Sequence, residues 1–288
     1  MNDIRRVWLM QSPSKAGAAW REAFAAACAE HDWTFSIHEK GEKPPEPDPA
    51  RSHLTVSWLD WAEGHPVTDW YVQRGAAEDS AYILAERDNL SQRDALYEGS
   101  LRLACAELMI QNGAGIVSVD DEIITLSGLG EIRRPAEALR TTSDPRHPLY
   151  LYHSAPLKAG TKVHWGPEHF NYADAASADA LDGAIKLVGR RRLLFSGPNI
   201  FLPPGHWRVE AELSIDPPGE TEFLIEWGFG DQVQSIPAVI SRPGRYSVVM
   251  EQRWTHVACA DFRISLIIPA LDGHLAFSGI TLTRLDDA

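Results

Sequence analysis

The sequence predicts an α/β domain followed by an all-β antiparallel sandwich or jelly roll. Three observations predict it. The chain opens with strand, helix, strand. From Ala184 onward no helical period appears, and short β runs alternate with Pro-Gly turns. A length of 288 residues, 44% of them hydrophobic, suits two domains with a core each and excludes a wholly disordered chain.

Arg6 to Met10 reads as the first strand. Gln11-Ser12-Pro13-Ser14 follows as a turn, with Ser12 or Ser14 placed to cap a helix and Pro13 suited to a first turn. Ala19, Trp20, Ala23, Phe24, Ala27 and Cys28 recur at helical spacing. His31-Asp32 breaks the helix, and Trp33 to His38 alternates as a second strand. This is a β-α-β unit, most naturally a parallel pair with a right-handed crossover. Lys40 to Pro49, rich in proline and charge, is a loop. Ser52 to Trp61 reads as a third strand and Asp69 to Gln73 as a short fourth. Ala76 to Asn112 is mostly helical and ends at Asn112-Gly113, as a C-cap should. Ile116 to Val119 and Glu122 to Leu126 read as a hairpin around Asp120-Asp121.

After residue 130 the chain changes character. Residues 131–183 read as a linker and wrapped connection, with Ala175 to Leu181 a small helix or turn. The predicted division is therefore 1–130, 131–183 and 184–288. In the last part, runs such as His206 to Ile215 and Tyr246 to Trp254 are bounded by Pro203-Pro204-Gly205, Pro217-Pro218-Gly219 and Arg242-Pro243-Gly244.

Charge and composition narrow the function. Twenty-seven basic against 40 acidic residues leave a net charge of −13. A nucleic-acid binder tracks phosphates and needs the opposite sign, and so does binding to an anionic membrane. No apolar run reaches the ~18 residues of a spanning helix, and Val7 to Met10 is too short for a secretory signal. A cytoplasmic protein is expected. The three cysteines, Cys28, Cys105 and Cys259, form no C-x-x-C pair, so neither a disulfide framework nor a zinc knuckle is indicated. No cofactor and no metal is expected.

The segment Gly197-Pro198-Asn199-Ile200-Phe201-Leu202-Pro203-Pro204-Gly205-His206-Trp207-Arg208-Val209 is a strand, a Pro-Pro-Gly turn and a strand. With the closing Phe277-Ser278-Gly279-Ile280-Thr281-Leu282, it resembles carbohydrate-binding-module-like, galactose-binding-type jelly rolls. The resemblance covers residues 184–286 and implies a sugar-binding or protein-contacting module. No ligand residue of that family carries over by position. The opening β-α-β resembles Rossmann-like domains in pattern only, because Gln11 to Gly17 holds one glycine where a dinucleotide fingerprint needs three.

Ten tryptophans are many for this length, against roughly one per hundred residues in average usage. Indole faces stack on sugar C–H faces, with polar side chains reading the hydroxyls. The candidate ligand-binding set is Trp165, Asn199, Trp207, Trp227, Arg253 and Trp254, against the simpler reading that tryptophans fill a sandwich core. A second candidate is the loop Ser12 to Gly17. Ser12, Ser14 and Lys15 at a helix N-terminus can hold a phosphate, against the simpler reading of a capped helix.

Three further clusters read more simply as structure. His164, Glu168 and His169 are split by Gly166-Pro167, which breaks the i, i+4 helical spacing of a zinc site. Asp120, Asp121 and Glu122 fit a turn, and Arg190-Arg191-Arg192 a solvated strand end. No G-x-S-x-G elbow is present. The leading expectation is a non-catalytic recognition protein whose C-terminal jelly roll binds a glycan or a protein partner, with a homodimer as one form of the latter. The alternative is an enzyme of nucleotide-sugar or glycan metabolism with its phosphate site at the first β-α turn.

Overall fold

The computed structural model describes residues 4–38, 46–58, 66–140, 142–173 and 184–287. The chain divides into two compact units, Met1–Pro156 and Leu157–Ala288. The stretch expected as a linker is thus shared between them. The small helix expected at Ala175 to Leu181 lies outside the described residues, as does most of the loop from Lys40.

In the first unit, β1 (Arg6–Gln11) is buried on both faces, as the central strand of a parallel sheet must be. The partners are β2 (Thr34–His38), β3 (His53–Ser57), β4 (Asp69–Arg74) and β5 (Gly115–Ser118), in the order β2-β3-β1-β4-β5. Every pairing is parallel. The hairpin expected around Asp120-Asp121 is corrected by this topology: β5 joins the edge of the parallel sheet. Instead β6 (Ile123–Leu126) pairs with β7 (Gly130–Arg133).

Helices cover both faces. α1 (Gly17–Glu30) buries Trp20, Phe24 and Cys28 at four-residue spacing against Val7, Leu9, Leu54 and Val56. The Trp20 indole N–H donates to Val119 O at 3.0 Å, tying the helix to the chain beyond β5. α2 (Ala77–Asp88) and α3 (Gln92–Gln111) make up the stretch expected to be mostly helical. They are split where Asn89 turns left-handed, and Ser91 then caps α3 by accepting from Asp94 N–H at 3.2 Å. Ala106 and Ile110 of α3 meet Met10 and Val72 on the second face. No helix among the described residues is long and apolar enough to cross a membrane.

The second unit is a β-sandwich. One sheet runs β10 (Ala184–Lys186), β17 (His274–Arg284), β12 (Gly205–Asp216), β15 (Gly244–Trp254), with β8 (Lys162–Trp165) also on β17. The other runs β14 (Gln232–Ile240), β13 (Thr221–Phe229), β16 (Ala258–Leu266), β11 (Arg192–Leu202), β9 (Asn171–Tyr172). All pairings between these strands are antiparallel.

Trp207, Val209, Ala211, Leu213 and Ile215 of β12 point inward, and Arg208, Glu210, Glu212 and Ser214 point out. The core closes by aromatic contact between sheets. Phe195 of β11 stacks on Phe277 of β17 at 4.2 Å, and Trp227 of β13 meets Trp254 of β15 at 5.1 Å.

Candidate functional site

Four of the six expected ligand-binding residues are core. Trp165, Trp207 and Trp227 are 0% exposed and Trp254 is 1% exposed. A sugar needs an open indole face, and none of the four offers one. Their hydrogen bonds turn inward too: the Trp207 Nε1–H donates to Pro203 O at 3.2 Å and that of Trp254 to Ala258 O at 3.3 Å. The other two do not converge. Asn199 sits at a β11 bulge with φ 62°, its Oδ1 3.9 Å from Cys259 Sγ. Arg253 is exposed on β15 of the other sheet, 3.4 Å from Asp286.

The phosphate-loop candidates gather differently. β1 and β4 are neighbours, with β3 on the far side of β1, so the chain reverses its winding between β1 and β4. Ligands of open α/β sheets enter the crevice at the carboxyl ends of such a pair. There Gln11 closes β1 and lies opposite Gln73 of β4. Gln11 Nε2 donates to Gln73 Oε1 at 2.7 Å and to Gly17 O at 3.2 Å. Gln11 Oε1 and Gln73 Nε2 are buried and make no hydrogen bond, and neither do the buried hydroxyls of Ser12 and Ser14.

The expected serine cap is corrected here. The N-cap of α1 is Ala16, no side chain caps it, and its first turn holds no acid. Ser14 instead gives its carbonyl to Gly17 N–H at 3.0 Å, which leaves the hydroxyl uncommitted. The protein carboxylate at this end is that of Asp79, which accepts from Lys15 N–H at 3.4 Å just before the helix begins. Glycine matters at two places. A Cβ on Gly17 would lie 3.3 Å from Gln11 Oε1, and one on Gly75 would lie 2.9 Å from Ser14 Cβ. Both loops approach closely because these side chains are absent.

Charge surrounds this end of the sheet. Lys15 Nζ lies 3.9 Å from Asp79 Oδ1 and 5.0 Å from the Tyr82 ring centre. Burial pushes the Asp79 carboxyl up, while the Lys15 N–H and ammonium pull it down. Below, Arg74 is buried with Nη1 3.7 Å from Glu107 Oε2, and its Nη2 donates to Tyr152 O. Burial lowers the Arg74 guanidinium, and Glu107 opposes that. At the mouth, the Trp58 indole carries Arg87 at 3.8 Å and Arg21 at 5.3 Å from its ring centre. Gln11, Ser14, Lys15, Arg21, Trp58 and Arg87 all line one cleft of about 380 Å³. Of these, Ser14 and Lys15 were visible in the sequence as a polar loop before a helix. Gln11, Arg21, Trp58 and Arg87 were not, because they come from separate elements.

The remaining clusters are structural. Asp121 Oδ2 accepts from Ser118 N–H at 2.7 Å, and Glu122 pairs with Arg134 and Arg140. His169 Nε2 lies 3.3 Å from Glu168 Oε1 in a 3-10 turn, while His164 is on β8. Arg192 Nη2 donates to Lys186 O at 2.6 Å. Among the described residues no group of three or more His, Cys, Asp or Glu is arranged to hold a metal.

No family model matches the chain, and no curated protein matches it. Solved structures similar to it include carbohydrate-binding modules. One is TmCBM61 in complex with β-1,4-galactotriose, at 14% identity and TM-score 0.28, covering 44% of this chain and 90% of the module. Another is the xylan-binding CBM22-1 domain from Paenibacillus barcinonensis Xyn10C, at 8% identity and TM-score 0.28, covering 46% and 99%. A third is the xylan-binding module CBM15, at 10% identity and TM-score 0.32, covering 45% and 99%. The resemblance to such modules expected from the Pro-Pro-Gly segment is therefore found. At these TM-scores it carries no ligand over to this chain.

Proposed function

We propose that the chain is a binding protein whose first unit takes an anionic, phosphate-class group at the carboxyl end of its parallel sheet. The observation that carries this is the buried Ser14 hydroxyl, which has no hydrogen-bond partner and lines a cleft at an uncapped helix N-terminus. An unsatisfied buried hydroxyl costs about 1–3 kcal/mol, which an anion accepting from it recovers. Lys15 adds a charge-assisted donor. The test is thermal unfolding of the full chain with inorganic phosphate. A rise in Tm that Ser14→Ala and Lys15→Ala both reduce supports the reading, because a ligand that binds only the native state must stabilise it. No shift at millimolar phosphate overturns it.

A second reading concerns the sandwich, as a recognition surface for a glycan or a protein partner. A row across four strands favours it. Ser235, Glu226, Arg263 and Ser196 lie opposite one another on β14, β13, β16 and β11, and so share one face. The alternate residues of β16, among them Phe262 and Ile264, are buried. The face is therefore outward and offers donors and acceptors suited to hydroxyls. Asn199 lies in the same sheet. A glycan array probed with the full chain and with Glu226→Ala/Arg263→Ala tests it. Binding lost in the variant supports a glycan. Silence from both removes the glycan and leaves a protein partner, a second copy included.

A further inference from the structure

We propose that the ligand of the first unit's cleft carries a hydroxyl beside its phosphate, as polyol and sugar phosphates do, and that Gln11 Oε1 accepts from that hydroxyl. This rests on the anion site proposed above and names its ligand class. Charged side chains of the cleft are already answered by protein. Lys15 Nζ lies 3.9 Å from Asp79 Oδ1, and Arg87 donates from Nε and Nη2 to Asp88 at 2.6 and 2.8 Å. The groups left unanswered are neutral. Gln11 Oε1 and the Ser14 hydroxyl make no hydrogen bond, although the two residues are only 1% and 8% exposed. Both residues line the cleft.

These two groups differ in what they can bind. A hydroxyl donates or accepts, so Ser14 suits a phosphate oxygen. A carboxamide oxygen only accepts. Its direction is set by the partners of its nitrogen. Gln11 Nε2 donates to Gly17 O at 3.2 Å and to Gln73 Oε1 at 2.7 Å, which uses both of its N–H groups. Turning the carboxamide over would set its oxygen against the Gly17 carbonyl, which cannot donate, so Oε1 stays on the unpaired side. A fully ionised phosphate monoester has no proton to give, and its oxygen against Oε1 would set acceptor on acceptor. The partner of Oε1 is therefore a donor elsewhere on the ligand. An ammonium would bring a charge and three N–H groups to a single buried acceptor, so the donor is a neutral hydroxyl. Gly17 holds the two groups together: the point a Cβ on Gly17 would occupy is 3.3 Å from Gln11 Oε1 and 3.4 Å from Ser14 Oγ. Hydroxyl and phosphate thus sit close together on one molecule. The cleft, at about 380 Å³, lies in the size range of small organic ligands, with room beyond one phosphate.

The experiment is isothermal titration of the full chain with glycerol 3-phosphate and with n-propyl phosphate at pH 8, where both monoesters are fully ionised and carry the same charge. The expected result is glycerol 3-phosphate binding tighter by about threefold to tenfold, the scale of one net hydrogen bond. Gly17→Ala covers Oε1 with a methyl group while keeping the Gln11 hydrogen bonds, and should bring that ratio towards one. Gln11→Met removes the acceptor and should do the same; if that chain does not fold, Gly17→Ala decides. Ser14→Ala should weaken both esters and keep the ratio. Equal affinity for the two esters in the parent chain, or tighter binding of propyl phosphate, overturns the hydroxyl and leaves the anion site standing. A ratio that survives Gly17→Ala and Gln11→Met overturns it as well. Absence of binding by either ester removes both readings.

Discussion

Gln11 Nε2 donates to Gln73 Oε1 across 2.7 Å, joining the last residue of β1 to its neighbour on β4 where the sheet reverses its winding. The pair leaves one acceptor and one amide nitrogen without partners. Gln73→Leu, similar in length but unable to hydrogen-bond, strands Gln11 further and should cost about 1–3 kcal/mol. Chemical denaturation reads this, and the same variant should weaken phosphate binding in titration.

The Arg74 and Glu107 pair is buried, with side chains 8% and 0% exposed. Removing one partner leaves a charge in the interior. Glu107→Gln and Arg74→Met should each destabilise by about 3–5 kcal/mol. The double variant should recover much of that, because no lone charge remains. Equilibrium unfolding of the three chains checks it. Additive losses in the double variant would show that the two side chains are not coupled.

Asp79 carries a pH signature. Burial, the largest influence on it, raises its carboxyl above the ordinary value, and Lys15 opposes this. A raised folded value means that the native state holds the proton more tightly than the unfolded chain. The stability from this group is therefore fully present below the ordinary carboxylate range and is lost as pH rises through the folded value. Asp79→Asn, which mimics the protonated form, should gain on the parent as pH climbs from 3 to 6. Lys15→Ala should enlarge the parent's loss. Melting curves across that interval show the sign.

Two thiols should be slow. Burial pushes Cys28 to about 12, and burial with a smaller contribution from Asp261 pushes Cys259 to about 12. The thiolate is the reactive form, so both should resist alkylation at pH 8 in the folded chain and react after denaturation. Mass spectrometry of iodoacetamide-treated protein distinguishes the sites.

Trp227 lies 5.1 Å from Trp254 between the sheets, and Phe229 lies 4.8 Å from Trp254. Trp227→Ala should cost about 3–5 kcal/mol through lost packing and the cavity left behind. A large change in glycan binding by the still-folded Trp227→Phe would contradict the placement of this ring in the core.

The strands of the sandwich were legible because period-two alternation is local: β12 and β15 fall within two residues of the runs read from sequence. The helix ends were legible at Asn112-Gly113 for the same reason. Strand β5 was misread because its partner, β4, lies some forty residues earlier, and no local pattern names a distant neighbour. The tryptophans misled because an indole in a strand looks the same whether it faces a ligand or the opposite sheet.

By itself, the sequence determined the first helix, the long strands of the sandwich such as β12 and β15, and that a polar loop with Lys15 precedes the first helix. Each of these follows from side-chain period, turn chemistry and charge, which act over a few residues. Only the tertiary structure decided that the four tryptophans are core. It alone set β1 beside β4, left α1 without a side-chain cap, and brought Gln11, Arg21, Trp58 and Arg87 to one cleft. Those outcomes depend on strand order and on which faces meet, and both are settled by the packing of residues far apart in the chain.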